Sequence, residues 1–472
     1  MNTLSETNMS DQKSKLKKAL GLRDLVLLNI ACVVGLSSLT QAAQFGWSSF
    51  PLWILAMVFF LIPSGLMVVD LNARVPGEGG FYIWTKTAFG EWHGFVAAWS
   101  YWLSNVVWFP AVLFTIVLSS LYIFGDSFLH LKENFLVTGT ISLVILWFII
   151  LLNIFGLKFG KWIQNIGAIS LWLLFALLLV LALIYVNTHG SAQPFSTNAL
   201  TPDFSDLTII PFFAAIAYSF GGLELSSVMS DEIKNPRKNI TRSIFISAIV
   251  IAVLYMIGTF SLLVALPQGE LDIVDGIAQT FHSIDDALGL PLVGSIGALL
   301  ATLSVIGALG GWLSGSARLP FVIGIDSYLP KVLGKVHPKY GTPHMALIIQ
   351  GVVITILFLF SIAGSKVQEA FSVIYDMAVV LYFIPFLYMF ASLVKHNIKN
   401  TGGKSGIYLF EKYKSLVWIC ACLGFSVIFL SIILAFMPSK AVENTLLFYT
   451  KVVGGTVLLT GIGLLFYYKK RN

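Results

Sequence analysis

Apolar residues in this chain come in long unbroken runs rather than at the spacing of a soluble helix or strand. Twelve runs reach the roughly 20 residues that a helix needs to cross a bilayer. They lie at about 24–46, 50–71, 92–123, 134–155, 161–186, 208–230, 242–266, 290–318, 343–363, 367–394, 416–437 and 446–468. Polar residues collect between them. Two intervals are long and read as loops: 187–207, rich in Ser, Thr, Pro and Asn, and 267–289, with five acids and no Lys or Arg. Residues 1–20 form a polar, lysine-rich tail. The run after that tail is long enough to span, so it reads as a first membrane helix and not as a cleaved leader.

Composition agrees with the pattern. The 472 residues are 57% hydrophobic and 11% charged, against about 25% charged in soluble proteins. So few polar residues cannot cover a water-soluble particle. Soluble enzymes, nucleic-acid binders and disordered hubs are excluded, and the expected solvent is a lipid bilayer. The net charge of +6 is a topology signal, because cytoplasmic loops retain Lys and Arg. Lys13, Lys15, Lys17, Lys18 and Arg23 precede the first span, and Lys234, Arg237, Lys238 and Arg242 follow the sixth. Arg318, Lys331, Lys335 and Lys339 follow the eighth, and Lys395, Lys399, Lys404, Lys412 and Lys414 the tenth. Only Lys132, Lys366, Lys440 and Lys451 fall on the other side, which leaves 25 of 29 basic residues on one side. The expectation is a multi-pass protein of a bacterial cytoplasmic membrane with both termini inside.

Two spans are interrupted by small and polar residues at mid-length. Span 1 reads Asn29 to Gln41 through Gly35, Ser37, Ser38 and Thr40, and span 6 reads Ala217 to Ser227 through Ser219, Gly221, Gly222 and Glu224. Glycine inside a helix costs about 1 kcal/mol against alanine. Irregular backbone at membrane depth survives only against protein or a water-filled cavity. Close helix packing also uses small residues. Two such segments five spans apart point instead to an inverted repeat with its ligand site at the breaks.

Further stretches carry a family resemblance. Ser219-Phe220-Gly221-Gly222-Leu223-Glu224 with Asp231-Glu232 through Asn239, Pro76 through Trp84 with Ala88-Phe89-Gly90, Gly310-Gly311-Trp312 through Pro320, and Lys335 through Pro343 resemble motifs of the amino acid–polyamine–organocation superfamily. The matches extend from residue 21 to about 395. The resemblance implies a leucine-transporter-type fold: twelve transmembrane helices, a 5+5 inverted repeat with helices 1 and 6 broken, and two added C-terminal helices. The corresponding divisions are a tail at 1–20, repeats at 21–190 and 191–395, and helices 11 and 12 at 396–472. It implies secondary transport of amino acids or related amines by alternating access, with H+ or Na+ as partner ion or by exchange.

Site residues follow by position. Gly35 matches the first-helix break that holds a substrate carboxylate, with Ser37 standing where a second glycine is usual and Ser38 after it. Tyr218 matches an aromatic that closes over substrate in an arginine–agmatine antiporter of the superfamily. Ser219, Gly221 and Gly222 complete that break, and Trp312 matches a stacking residue of helix 8. Leu171 occupies the position where several proton-coupled relatives carry a lysine. The missing first-helix glycine and the Gly402-Gly403-Lys404 loop are also similar to glutamate–aminobutyrate antiporters, which keeps exchange beside symport.

Single residues add chemistry. Glu224 and Asp376 are acids inside spans, where a charge costs about 2.5–3.5 kcal/mol or more. Glu224 is the candidate for proton coupling, substrate-amine contact or a bond to the unwound backbone; Asp376 faces either the cavity or a neighbouring helix. Tyr101 and Trp102 read as packing, with Trp108 a candidate cavity wall. Asp231, Glu232, Lys234, Arg237 and Lys238 form a charge cluster that serves as topology signal or as an ion-pair gate, with Arg74 as partner. Cys32, Cys420 and Cys422 lie in apolar runs and read as buried thiols without a disulfide framework. No phosphate loop, metalloprotease or hydrolase signature is evident, and the seven histidines show no metal spacing. No enzyme activity, metal or cofactor is expected. A polyamine or cationic-metabolite carrier is the nearest alternative, followed by a ligand sensor on the same fold. Oligomeric state is open.

Overall fold

The computed structural model describes residues 18–202, 212–290, 292–326, 328–362, 367–399, 410, 414–438, 442 and 444–471. Most of the tail, the Gly402-Gly403-Lys404 loop and the start of span 6 lie outside these. The described chain is helical, and its one β-bridge joins Leu20 to Ile233.

Ten described helices are long and apolar enough to cross a membrane. The two of twelve that fall short as single rods are spans 1 and 6, and both are broken. Span 1 runs as Leu22–Val33 and then Leu36–Ala42, with Val34 and Gly35 extended between them. Span 6 runs as Phe212–Tyr218, a turn, and Leu225–Val228. Gly222 in that turn has φ +124°, and a Cβ there would sit 2.8 Å from Val33 Cγ2. A left-handed backbone against a neighbouring side chain leaves room only for glycine. The breaks therefore face one another and stand five spans apart, as a leucine-transporter-type core requires.

The intact spans follow the apolar runs to within a few residues: Glu91–Leu121, Phe135–Ile154, Leu157–His189, Pro236–Ala265, Val293–Ser316, His344–Ile362, Val367–Ile398 and Lys414–Leu434. Span 2 covers Ser49–Ala56 and Ile62–Arg74, and span 12 ends in Gly455–Arg471. Spans 5 and 8 approach very closely, since a Cβ on Gly167 would fall 2.5 Å from the Gly307 Cα. The expectation of buried thiols holds for Cys32 and Cys420, whereas Cys422 is exposed on span 11.

Two further helices lie in segments that had read as loops. Phe81–Phe89 precedes span 3, and Gly276–Leu288 lies within the acidic 267–289 interval. The second is too short to span but is amphipathic. Ile277, Phe281 and Ile284 are buried along one face, at the four- and three-residue steps of a helix stripe. Gly80, just before the first, approaches Val228 of span 6, and Gly276, which opens the second, approaches Thr40 of span 1.

Candidate functional site

The break in span 1 exposes backbone groups that no helix satisfies, and the structure supplies partners from other spans. Tyr255 of span 7 sits between the breaks. The Gly35 N–H donates to its hydroxyl at 3.2 Å, and its own proton is shared between Val33 O at 2.6 Å and Ser219 O at 2.9 Å. Trp53 stacks on the Tyr255 ring at 4.3 Å and Phe220 meets it edge-on at 5.3 Å. A single hydroxyl thus joins three backbone groups drawn from both broken helices. Trp312 of span 8 donates its indole N–H to Cys32 O at 2.8 Å. Unpaired carbonyls at this depth would each cost several kcal/mol, so these donors make the breaks tolerable.

Between the breaks lies a small cavity. Its open space is about 50 Å³ counted at water centres, room for a few waters at roughly 10–15 Å³ each. Gly35, Ser37, Ser38, Tyr218, Ser219 and Gly221 line it from the breaks. Asn105, Trp108 and Thr115 of span 3, Ser304 and Trp312 of span 8, and Tyr382 of span 10 close the walls. Nearly every sequence-assigned binding residue is therefore at one cavity. Gly222 stands just behind it as the left-handed turn, with Trp312 Cζ2 3.1 Å from where its Cβ would be.

The aromatic residues form one connected wall. Tyr218 packs edge-on against Tyr382 at 4.9 Å and Tyr375 at 5.2 Å. Trp312 meets Trp108 at 5.8 Å. Ser38 shares a hydrogen bond with the Tyr375 hydroxyl at 3.2 Å. The amides of the Leu36–Ala42 half-helix begin at the cavity, and the first amides of a helix have no intrahelical acceptor.

Glu224 is elsewhere. It does not line the cavity. Its Oε1 accepts from the Tyr382 hydroxyl at 2.6 Å and the Tyr101 hydroxyl at 2.8 Å, and its Oε2 accepts from the Gly222 N–H at 2.9 Å. Three donors thus converge on a side chain that is 2% exposed. Of the roles open to Glu224, the structure displays the bond to the unwound backbone, at Gly222. Asp376 does not line the cavity either and is half-buried on span 10.

The gate cluster also has a different partner. Arg74 pairs with Asp70 at 2.5 Å, one helical turn away. Glu232 instead holds Arg318, whose Nη2 lies 2.8 Å from both carboxylate oxygens. The planar guanidinium suits this two-pronged contact. Arg318 also donates to the carbonyl and hydroxyl of Ser314. Glu78 lies alongside, 4.0 Å from Arg318, and its Oε2 accepts the Asp231 N–H at 2.9 Å. Burial, then Glu232 and Asp231, push the Glu78 carboxyl well above its ordinary range. Next to it, Ala19 and Leu20 donate their amides to Glu232 O, and Lys234 N–H donates to Leu20 O.

Tyr255, Tyr382, Asn105 and Arg318 are the site residues that the sequence reading missed. The available signal was a hydroxyl or amide deep in an apolar span, or a guanidinium at its end, where a polar tip must find a partner. Among the described residues no group of three His, Cys, Asp or Glu can hold a metal ion.

A bundle with two facing breaks and a cavity between them defines a secondary-transporter class of membrane protein. Residues 20–459 match the family model described as amino acid permease, and the chain belongs to that family, a family of transporters and not of enzymes. An uncharacterized transporter of Legionella pneumophila is 29% identical over 95% of this chain and 97% of its own length. A probable agmatine/putrescine antiporter of Lactococcus lactis is 29% identical over 78% of each chain. A serine/threonine exchanger of Bacillus subtilis is 24% identical over 80% of this chain and 85% of its own.

Proposed function

We propose that this chain exchanges amino acids across the bacterial cytoplasmic membrane, binding one substrate between the breaks of spans 1 and 6. The carrying observation is the cavity that both breaks line together with spans 3, 8 and 10. The Gly35 N–H is already bonded to Tyr255, so the substrate carboxylate falls to the next amides, those of Leu36, Ser37 and Ser38. The positive end of that half-helix favours an anion there. Tyr218 closes over the substrate and Trp312 stacks on it. Glu224 acts as a positioning residue: it fixes Gly222 and holds Tyr382 against the cavity.

Exchange is favoured over proton symport because, among the described residues, the cavity wall offers no carboxylate or imidazole to carry a proton with the substrate. Relatives named as antiporters and exchangers agree with this reading. The face bearing residues 18–20, Glu232 and Arg318 is the cytoplasmic one in this reading, from the excess of basic residues there.

The test uses purified protein in sealed liposomes. Labelled amino acid uptake should require unlabelled amino acid inside and should not respond to an imposed proton gradient. Glu224→Gln removes one acceptor for Tyr382, Tyr101 or Gly222 and should lower exchange at least tenfold at every pH from 5 to 8. Uptake driven by the gradient into empty vesicles, abolished by Glu224→Gln, would make Glu224 a proton carrier and overturn the exchange reading.

A further inference from the structure

We infer that the substrate is a small zwitterion whose side chain carries no charge. The inference rests on the reading of the central cavity as the substrate site. Among the described residues, no Asp, Glu, Lys, Arg or His lines that cavity. The two acids at membrane depth are unavailable to it. Glu224 is 2% exposed and accepts from three donors, and Asp376 lies outside the lining.

A charge moved from water into a poorly polar site must be paired there or it is strongly disfavoured. The backbone end of an amino acid finds its partners at the breaks. Its carboxylate meets the first amides of Leu36–Ala42, and its ammonium meets carbonyl oxygens and the faces of Tyr218 and Trp312. A second charge, on the side chain, would reach the wall built by spans 3 and 8. That wall carries Asn105, Trp108, Thr115, Ser304 and Trp312 among apolar residues, with no charged side chain among the described residues.

The polar groups of that wall narrow the class further. Asn105 Nδ2 donates to Tyr101 O at 2.7 Å, Thr115 Oγ1 to Ala111 O at 3.2 Å and Ser304 Oγ to Ala301 O at 2.7 Å. The two hydroxyls and one N–H of Asn105 are used within their own helices, and the second Asn105 N–H and the oxygen lone pairs remain. Such a wall suits a methyl, a hydroxyl or an amide N–H. Among the described residues it has no cationic donor to pair with a side-chain carboxylate. The small open volume, about 50 Å³, agrees with a short side chain.

The experiment is counterflow in liposomes loaded with unlabelled alanine, with labelled alanine or serine outside. Competitors are threonine, asparagine, lysine, arginine, glutamate and putrescine, each at hundredfold excess. Threonine and asparagine should cut uptake at least fivefold, while lysine, arginine, glutamate and putrescine change it less than twofold. Asn105→Asp places a carboxylate on the wall and should raise lysine or arginine competition at least tenfold. If a charged compound competes or exchanges as well as the neutral ones in the wild type, the inference fails while amino acid transport stands. If no compound of either kind exchanges or shifts the melting temperature, the transport reading falls, and this inference with it.

Discussion

The two faces that flank the cavity are closed by different chemistry. On the face bearing residues 18–20, the seal is deep. Arg318 is 1% exposed and Glu232 is 1% exposed, their pairing is two-pronged, and a backbone bridge from Leu20 to Ile233 runs beside it. On the opposite face, the seal is shallower and more dispersed. Thr40 Oγ1 donates to Ile273 O at 2.8 Å and Gln44 Nε2 to Leu271 O at 3.0 Å. These bonds hold the acidic interval over the Leu36–Ala42 half-helix. Lys132 pairs with buried Asp275 at 2.7 Å, and His282 pairs with exposed Asp126 at 2.7 Å. Alternating access needs both seals to break in turn. On the transport reading proposed above, opening one side separates a buried ion pair, and opening the other releases several dispersed contacts.

The strongest way to break the comparison is Arg318→Gln. It leaves Glu232 and Glu78 buried side by side without a cation. Removing one partner of a buried pair costs about 3–5 kcal/mol. The expected result is a large fall in melting temperature in detergent, read by intrinsic fluorescence. The double variant Arg318→Gln with Glu232→Gln should recover part of the loss, because it removes the stranded charge. A loss below about 1 kcal/mol in the single variant would mean that the pair is weak and that the two seals are equivalent.

That pairing also shows where sequence reasoning stops. Long apolar runs gave twelve spans, and the interrupted middles of spans 1 and 6 gave the breaks, because both signals are local. Gly222 was legible for the same reason: a glycine pair beside Gly221 at mid-span is costly unless the backbone turns there. Sequence alone offers Arg74 as a partner for the cluster from Asp231 to Lys238, since both carry charge near a membrane boundary. Which of several boundary arginines reaches Glu232 depends on how span 8 packs, and that is tertiary. Tyr255 and Tyr382 were invisible for a related reason, since a mid-span tyrosine looks like any other aromatic until its hydroxyl meets a break. The helix Gly276–Leu288 leaves no such trace, because a short amphipathic helix is not an apolar run long enough to cross.

A second, smaller effect sharpens the opposite face. Burial pushes Asp275 up to about 7, with Asp272 adding and Lys132 opposing. The sign follows from linkage. An unfolded or opened chain ionises this carboxyl near its ordinary value of 3.8, while the sealed chain holds the proton until about 7. The contribution to the closed form is therefore full below about 3.8, is lost as pH rises towards about 7, and is constant above. Melting temperature should fall between pH 5 and 7 in the wild type, and Asp275→Asn should flatten that slope. An unchanged slope in the variant would assign the pH response to other groups and leave this seal without a titrating element.

The smallest effect is expected at the rim of the same face. Asp126 is 73% exposed in its side chain and pairs with His282, which carries charge only when protonated. Exposed pairs of this kind contribute about 0–1 kcal/mol and are screened by salt. Asp126→Asn should shift the melting temperature little, and 0.5 M salt should erase the shift. Its value lies in the exchange assay. If the opposite face opens by shedding weak contacts in sequence, loosening the outermost one should raise the exchange rate modestly, less than about threefold, without changing substrate preference. A loss of exchange would mean that this contact is part of a single cooperative latch, and the two faces would then open by the same kind of step.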